Sequence, residues 1–83
     1  MRISIETIPI DSIKLRGEHL IWKSEVEKRA SLLEKEGQAH PITVYLHRGE
    51  YLTFVHDRDA ALLIKAARSI NWNQILVTLH RGR

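Results

Sequence analysis

The period of hydrophobic positions changes several times along the chain, and each change marks an element. Residues 3 to 8, ISIETI, alternate Ile3 and Ile5 against Ser4 and Glu6, the period-two pattern of a half-buried strand. Pro9 ends that strand or confines it to a sheet edge, because it offers no amide to a ladder. IDSIKLR (10–16) reads as a short turn or helical turn, and RGEH (16–19) as a loop. In KSEVEKRASLLEKEG (23–37) the period lengthens: Val26, Ala30 and Leu33 form a helical stripe with charge on the other faces. Ser24 and Glu27 have capping-box spacing, and Gly37 supplies the left-handed conformation that commonly stops a helix.

PITVYLHRGEYLTFV (41–55) reads as two strands joined by Arg48-Gly49. With that two-residue loop, His47 faces Glu50 and Ile42 pairs with Val55. One face then carries Ile42, Val44, Leu46, Tyr51, Thr53 and Val55. The other carries Thr43, Tyr45, His47, Glu50, Leu52 and Phe54. Both are partly apolar, which predicts a hairpin covered on much of both sides. A second helix runs from about Asp57 or Arg58 to Arg68 and is apolar around most of its circumference, so it belongs against the sheet. QILVTL (74–79) is the last strand, with residues 79–83 as a basic tail. The predicted class is α+β: a small mixed β-sheet with two main helices in the order β-α-β-β-α-β, forming a single domain over residues 1–83.

Composition narrows the chemistry. Eighty-three residues leave no room for a second core. Without cysteine, disulfides, thiolate nucleophiles and zinc–thiolate sites are excluded. MRISIETIPIDS lacks the apolar run of a signal peptide and no stretch reaches membrane-spanning length, so the expected location is cytoplasmic with no membrane partner. Residues 1–40 carry seven basic and seven acidic groups, whereas residues 41–83 carry six basic against three acidic. The +3 surplus thus lies in the second half, and five of its six cations are the arginines 48, 58, 68, 81 and 83. Arginine is suited to forked contacts with phosphate, which makes Arg48, Arg68, Arg81 and Arg83 candidate nucleic-acid contacts.

The junction His56-Asp57-Arg58-Asp59 concentrates four ionisable groups where a strand gives way to a helix. New helix amides beside Arg58 make a generic anion site. The structural alternative is a well-made helix start: Asp57 is a strong N-cap, and Asp59 in the first turn opposes the helix dipole favourably. His56, Asp57 and Asp59, with His40, also offer nitrogen and oxygen ligands for a divalent metal, at a spacing that matches no standard metal loop. His40 before Pro41 is held extended by the following ring, as an acid–base or phosphate-binding group or an ordinary loop residue. Trp22 and Trp72 are core or core-edge residues, or platforms for stacked bases.

Taken together, IPIDSI, GQAHPITVYLHRGEYLTFVHDRDAALL and the closing strand resemble the ParB/sulfiredoxin superfamily, specifically ParB-like N-terminal domains. Ile8, Pro9, Ile10, Asp11 and Ile13 fit the opening strand motif; Gly37, Pro41, Ile42 and Val44 fit the segment entering the hairpin; Arg58 and the small apolar helix after it fit the phosphate-binding box. The resemblance implies a site where loop 37–42 meets helix start 56–60, a face that binds nucleotide phosphates: CTP in ParB proteins and ATP in sulfiredoxins. It also implies DNA-partition or nuclease relatives. This chain departs from the pattern at two positions, with His56 in place of the family glycine and Asp59 in place of its second arginine. It also lacks the sulfiredoxin cysteine, so sulfinic-acid repair is excluded.

Three functional expectations follow. The first is a module binding DNA or a nucleotide around Arg58, with His56, Asp57, His40 and Gln38 beside it and a nucleoside triphosphate as ligand. The second is a family member with a rewritten site, acting on a protein partner. The third is a metal-dependent nuclease using His56, Asp57 and Asp59. The sequence leaves the oligomeric state open.

Overall fold

A computed structural model of the chain describes residues 2–17 and 19–82. Among them are five strands and two α-helices: β1 (Arg2–Pro9), β2 (Ile13–Lys14), α1 (Lys23–Glu36), β3 (Ile42–His47), β4 (Glu50–Thr53), α2 (Arg58–Ser69) and β5 (Gln74–Arg81), with a 3-10 turn at Ile10–Ser12. The strands form one mixed sheet in the order β1-β5-β3-β4-β2. β5 is therefore an interior strand, antiparallel to β1 and parallel to β3. The two-residue strand β2, which lies beside β4, is the element that the sequence pattern did not reveal.

Both helices pack on one face of this sheet. Ile75, Val77 and Leu79 of β5 and Ile42 and Val44 of β3 meet Ala30 and Leu33 of α1 and Leu63, Ile64 and Ala67 of α2 in one apolar cluster. Seven of the twelve α2 residues are buried, as its apolar circumference predicts, while Lys65 and Arg68 stay exposed. The opposite face carries no helix, so the hairpin is not covered on both sides. There Leu52 is nonetheless buried, and Phe54 lies against Tyr45 with ring centroids 5.0 Å apart, in an edge-on arrangement with His80.

Strand parity corrects the reading of β1. Ile8 opposes Ile75 and is buried, and side chains two residues apart share a face. Glu6 and Ser4 therefore lie on the helix-bearing side, while Ile3 and Ile5 point to the open face, 60% and 67% exposed. A local alternation identifies two faces but not which one the partner strand turns inward.

The hairpin forms as predicted at its tip: His47 faces Glu50, and Arg48 and Gly49 both have positive φ, 51° and 79°, as a two-residue turn between twisted strands requires. It does not reach an Ile42–Val55 pair. Its ladder ends at Val44–Thr53, and Ile42 opposes Val77 of β5. Thr53 is held instead by the Arg16 amide, which donates to its hydroxyl at 3.2 Å. Gly17, next to Arg16, has φ +77°, and a Cβ there would meet the Val55 carbonyl oxygen at 2.8 Å, so only glycine lets this loop approach so closely.

The cap of α1 is displaced from the predicted Ser24/Glu27 pair. Trp22 precedes the helix and its amide donates to Glu25 Oε1 at 3.0 Å. This is one half of a capping box, since an indole has no acceptor to return the bond. Gly37 ends the helix with its amide bonded to the Leu33 carbonyl, as predicted. The expected basic tail is likewise corrected, because His80 and Arg81 are residues of β5.

Ile64 is fully buried where α2 meets the sheet. Its replacement by alanine leaves a cavity and should lower unfolding free energy by about 3 kcal/mol in chemical denaturation. A loss below about 1 kcal/mol would contradict this packing.

Candidate functional site

The tetrad forms a turn followed by a capped helix. The Asp57 amide donates to the Phe54 carbonyl at 3.1 Å, closing a turn over Val55 and His56. The Asp57 carboxylate then accepts from the Ala60 amide at 3.0 Å, and its carbonyl accepts from the Ala61 amide. Asp57 is thus the N-cap of α2, which satisfies an amide that would otherwise face the loop.

Loop 37–41 and the start of β3 lie across from this helix start, and with α1 they line a cleft of about 320 Å³. Its floor is apolar, with Leu33, Ile42 and Leu63. Arg29, Glu36, His40, Thr43, Asp57 and Asp59 supply its polar groups. The cleft lining therefore includes His40, Asp57 and Asp59. Gln38 serves as the buttress of the loop. Its side-chain amide donates to the Leu76 carbonyl and accepts from the Leu76 amide, both at 2.8 Å, and donates to the His40 carbonyl at 2.9 Å. It continues the β3 side of β5 past Pro41, which has no amide to offer.

The other candidates lie elsewhere. His56 is exposed on the turn and does not line the cleft. Arg58 points toward the N-terminus of α1: its guanidinium donates to the Leu20 carbonyl at 3.2 and 2.8 Å and to Glu25 Oε1 at 2.6 Å. Arg48 is at the hairpin tip. Arg68 sits at the far end of α2, donating to the Ile10 and Ile13 carbonyls at 3.4 and 3.5 Å. Arg81 pairs with Glu6 at 2.8 Å, and Arg83 is outside the described residues. No three His, Asp or Glu side chains converge as metal ligands among the described residues. Trp72 packs against the core, whereas Trp22 is 62% exposed.

Two ion pairs join the helices and shape the site. Arg58 meets Glu25, and Arg29 meets Asp59 at 2.8 Å. Glu25 and Arg29 are one helical turn apart on α1, with signs opposite to the adjacent Arg58 and Asp59 of α2. That complementary i, i+4 pair was the available sequence signal for Arg29 and Glu25, which residue-by-residue reading passed over as surface charge. Hydrogen bonds from Arg58, then from the Trp22 amide, hold the Glu25 carboxyl below its usual range. Ser4 and then Arg81 do the same for Glu6.

No protein-family model and no curated protein matches the sequence. The fold is matched by solved structures. Sulfiredoxin from Arabidopsis thaliana superposes with a TM-score of 0.75 at 18% identity, covering 95% of this chain and 86% of that one. The C-terminally truncated chromosome-partitioning protein ParB from Caulobacter crescentus, complexed with CTP-gamma-S, gives 0.76 at 15% identity over 96% of this chain and 46% of that one. The same protein complexed to the centromeric parS site gives 0.74 at 16% identity, over 92% and 40%. This chain spans less than half the length of those ParB chains. It has a ParB/sulfiredoxin-like fold.

Because the carboxyl of Glu25 is depressed in the folded protein, its stabilising contribution is fully present above the ordinary value of 4.5. It is lost as pH falls through the lower folded value. The thermal midpoint should therefore fall with acidification below about pH 4.5, and Glu25→Gln should lower it at neutral pH while flattening that acid limb. Parallel pH profiles for the two proteins would rule out this linkage.

Proposed function

We propose that this protein is a ParB-like nucleotide- or nucleic-acid-binding domain whose phosphate-bearing ligand enters the cleft between loop 37–41 and the start of α2. The observation that carries the reading is the cleft itself. Its volume of about 320 Å³ suits a small ligand, its floor is apolar, and its polar groups converge from three segments of the chain. The solved ParB structures of this fold, one complexed with CTP-gamma-S and one with parS, support the ligand class.

Within this reading the anion is met by Arg29 and His40 rather than by Arg58. Arg58 does not line the cleft: its guanidinium donates through Nε and Nη2 to Leu20 and Glu25, and it holds α1 against α2. Among the described residues Arg29 is bound by Asp59 alone, whose side chain is 71% exposed, so a phosphate can displace that carboxylate from the guanidinium. Asp57 and Asp59 repel an anion at this end of the cleft and weaken its binding relative to an all-cationic box.

A second reading has its own support. Arg58 and Asp59 of the box both bind α1 while Asp57 caps α2, which is the use expected where the pocket has become structural and the domain acts on a protein partner.

Titration calorimetry with CTP, ATP and a short DNA duplex, at low salt with and without Mg²⁺, separates the two. The nucleotide reading expects saturable binding that weakens about tenfold in Arg29→Ala and tightens in Asp59→Asn, where a competing carboxylate is neutralised. Absence of binding to every ligand in the wild-type chain, with normal folding, would reject it in favour of the protein-partner reading.

A further inference from the structure

β1 is an edge of the sheet, hydrogen-bonded to β5 on one side. Edge strands are normally blunted by charge, proline, a bulge or a covering element, because their unpaired amides and carbonyls template another strand. Here the strand runs eight residues, with its proline only at the last. Its charged side chains, Arg2 and Glu6, share the helix-bearing side with Ser4. The other side exposes Ile3 and Ile5.

This pattern is self-complementary in one register. Two copies of an edge strand related by a two-fold axis normal to the sheet run antiparallel, and opposed residues share a face. Only registers that oppose residues of the same parity are therefore allowed. With Ser4 on the axis, Arg2 opposes Glu6 of the partner subunit and Ile3 opposes Ile5 of the partner subunit, each pair occurring twice by symmetry. With Ile5 on the axis, Arg2 meets Ile8 and Ile3 meets Thr7, and both matches are lost. The register on Ser4 also places the guanidinium of Arg2 beside a carboxylate already fixed by Ser4 Oγ at 2.6 Å and Arg81 at 2.8 Å.

We propose that a second copy of this chain docks on the β1 edge, antiparallel and with Ser4 opposite Ser4 of the partner subunit, so that the two sheets become one. Four isoleucines that are exposed in the single chain then pair across the axis, and two intersubunit ion pairs fix the register. The dimer is independent of the cleft, none of whose lining residues belongs to β1.

The chain has no cysteine, which makes the register directly testable. Opposed Cα atoms in an antiparallel pair are about 4.5–5.5 Å apart, within disulfide reach. Ser4→Cys should therefore cross-link to itself under mild oxidation, faster than Ile3→Cys or Ile5→Cys, whose like residues are offset from the axis. Sedimentation equilibrium of the unmodified chain should give twice the 9.7 kDa chain mass. Ile5→Lys, at an exposed position, should keep the circular-dichroism spectrum and raise the dimer dissociation constant at least tenfold. A chain that stays monomeric up to millimolar concentration would overturn the proposal, as would faster cross-linking through Ile5→Cys than through Ser4→Cys.

Discussion

The fold depends on the placement of β5, the last strand in the chain, between β1 and β3. It brings Ile75, Val77 and Leu79 under the helices, and it bonds to the first strand across almost the whole sequence. The sheet is therefore incomplete until residues 74–81 are in place. Closing so long a loop is entropically costly, and the return is a contiguous apolar cluster that no shorter segment can assemble. β5 also fixes the cleft, because Gln38 holds loop 37–41 by using the amide and carbonyl of Leu76 as its partners.

The cleft is a consequence of how α1 and α2 are joined. Their shared apolar surface brings the helices together, and the pairs Glu25–Arg58 and Arg29–Asp59 set which turns face one another. Partly exposed ion pairs contribute little to stability, so their main effect is positional. One consequence is that the arginine expected to hold a ligand is turned toward the start of α1, while an arginine of α1 reaches the cleft. The electrostatics at the helix start are accordingly mixed, with a cation, an imidazole and three carboxylates around an apolar floor.

The two faces of the sheet differ in the same way. The helix-bearing face is closed by aliphatic packing. The open face keeps a small aromatic cluster of Tyr45, Phe54 and His80 and leaves Ile3 and Ile5 in solvent. An apolar, uncovered strand edge is a directional feature, since its backbone groups specify both the orientation and the spacing of anything that pairs with it.

The sequence by itself determined the elements whose causes are local. The stripe in α1, the stop at Gly37, the Arg48-Gly49 turn, the Asp57 cap and the apolar girth of α2 each arise within a few residues, and each is found where the pattern placed it. The likeness to ParB and sulfiredoxin domains was legible too, because it rests on the order of such elements. Tertiary structure decided whatever required a partner distant in sequence. Ile8 opposite Ile75 decided which face of β1 is buried. The turn closed by Asp57 on Phe54 ended β4 at Thr53 and so shortened the hairpin, and contact with β4 created β2. Glu25, thirty-three residues from Arg58, decided where that guanidinium points. A side chain's type and spacing fix what bonds it is able to make, but the partner that satisfies it is chosen by packing.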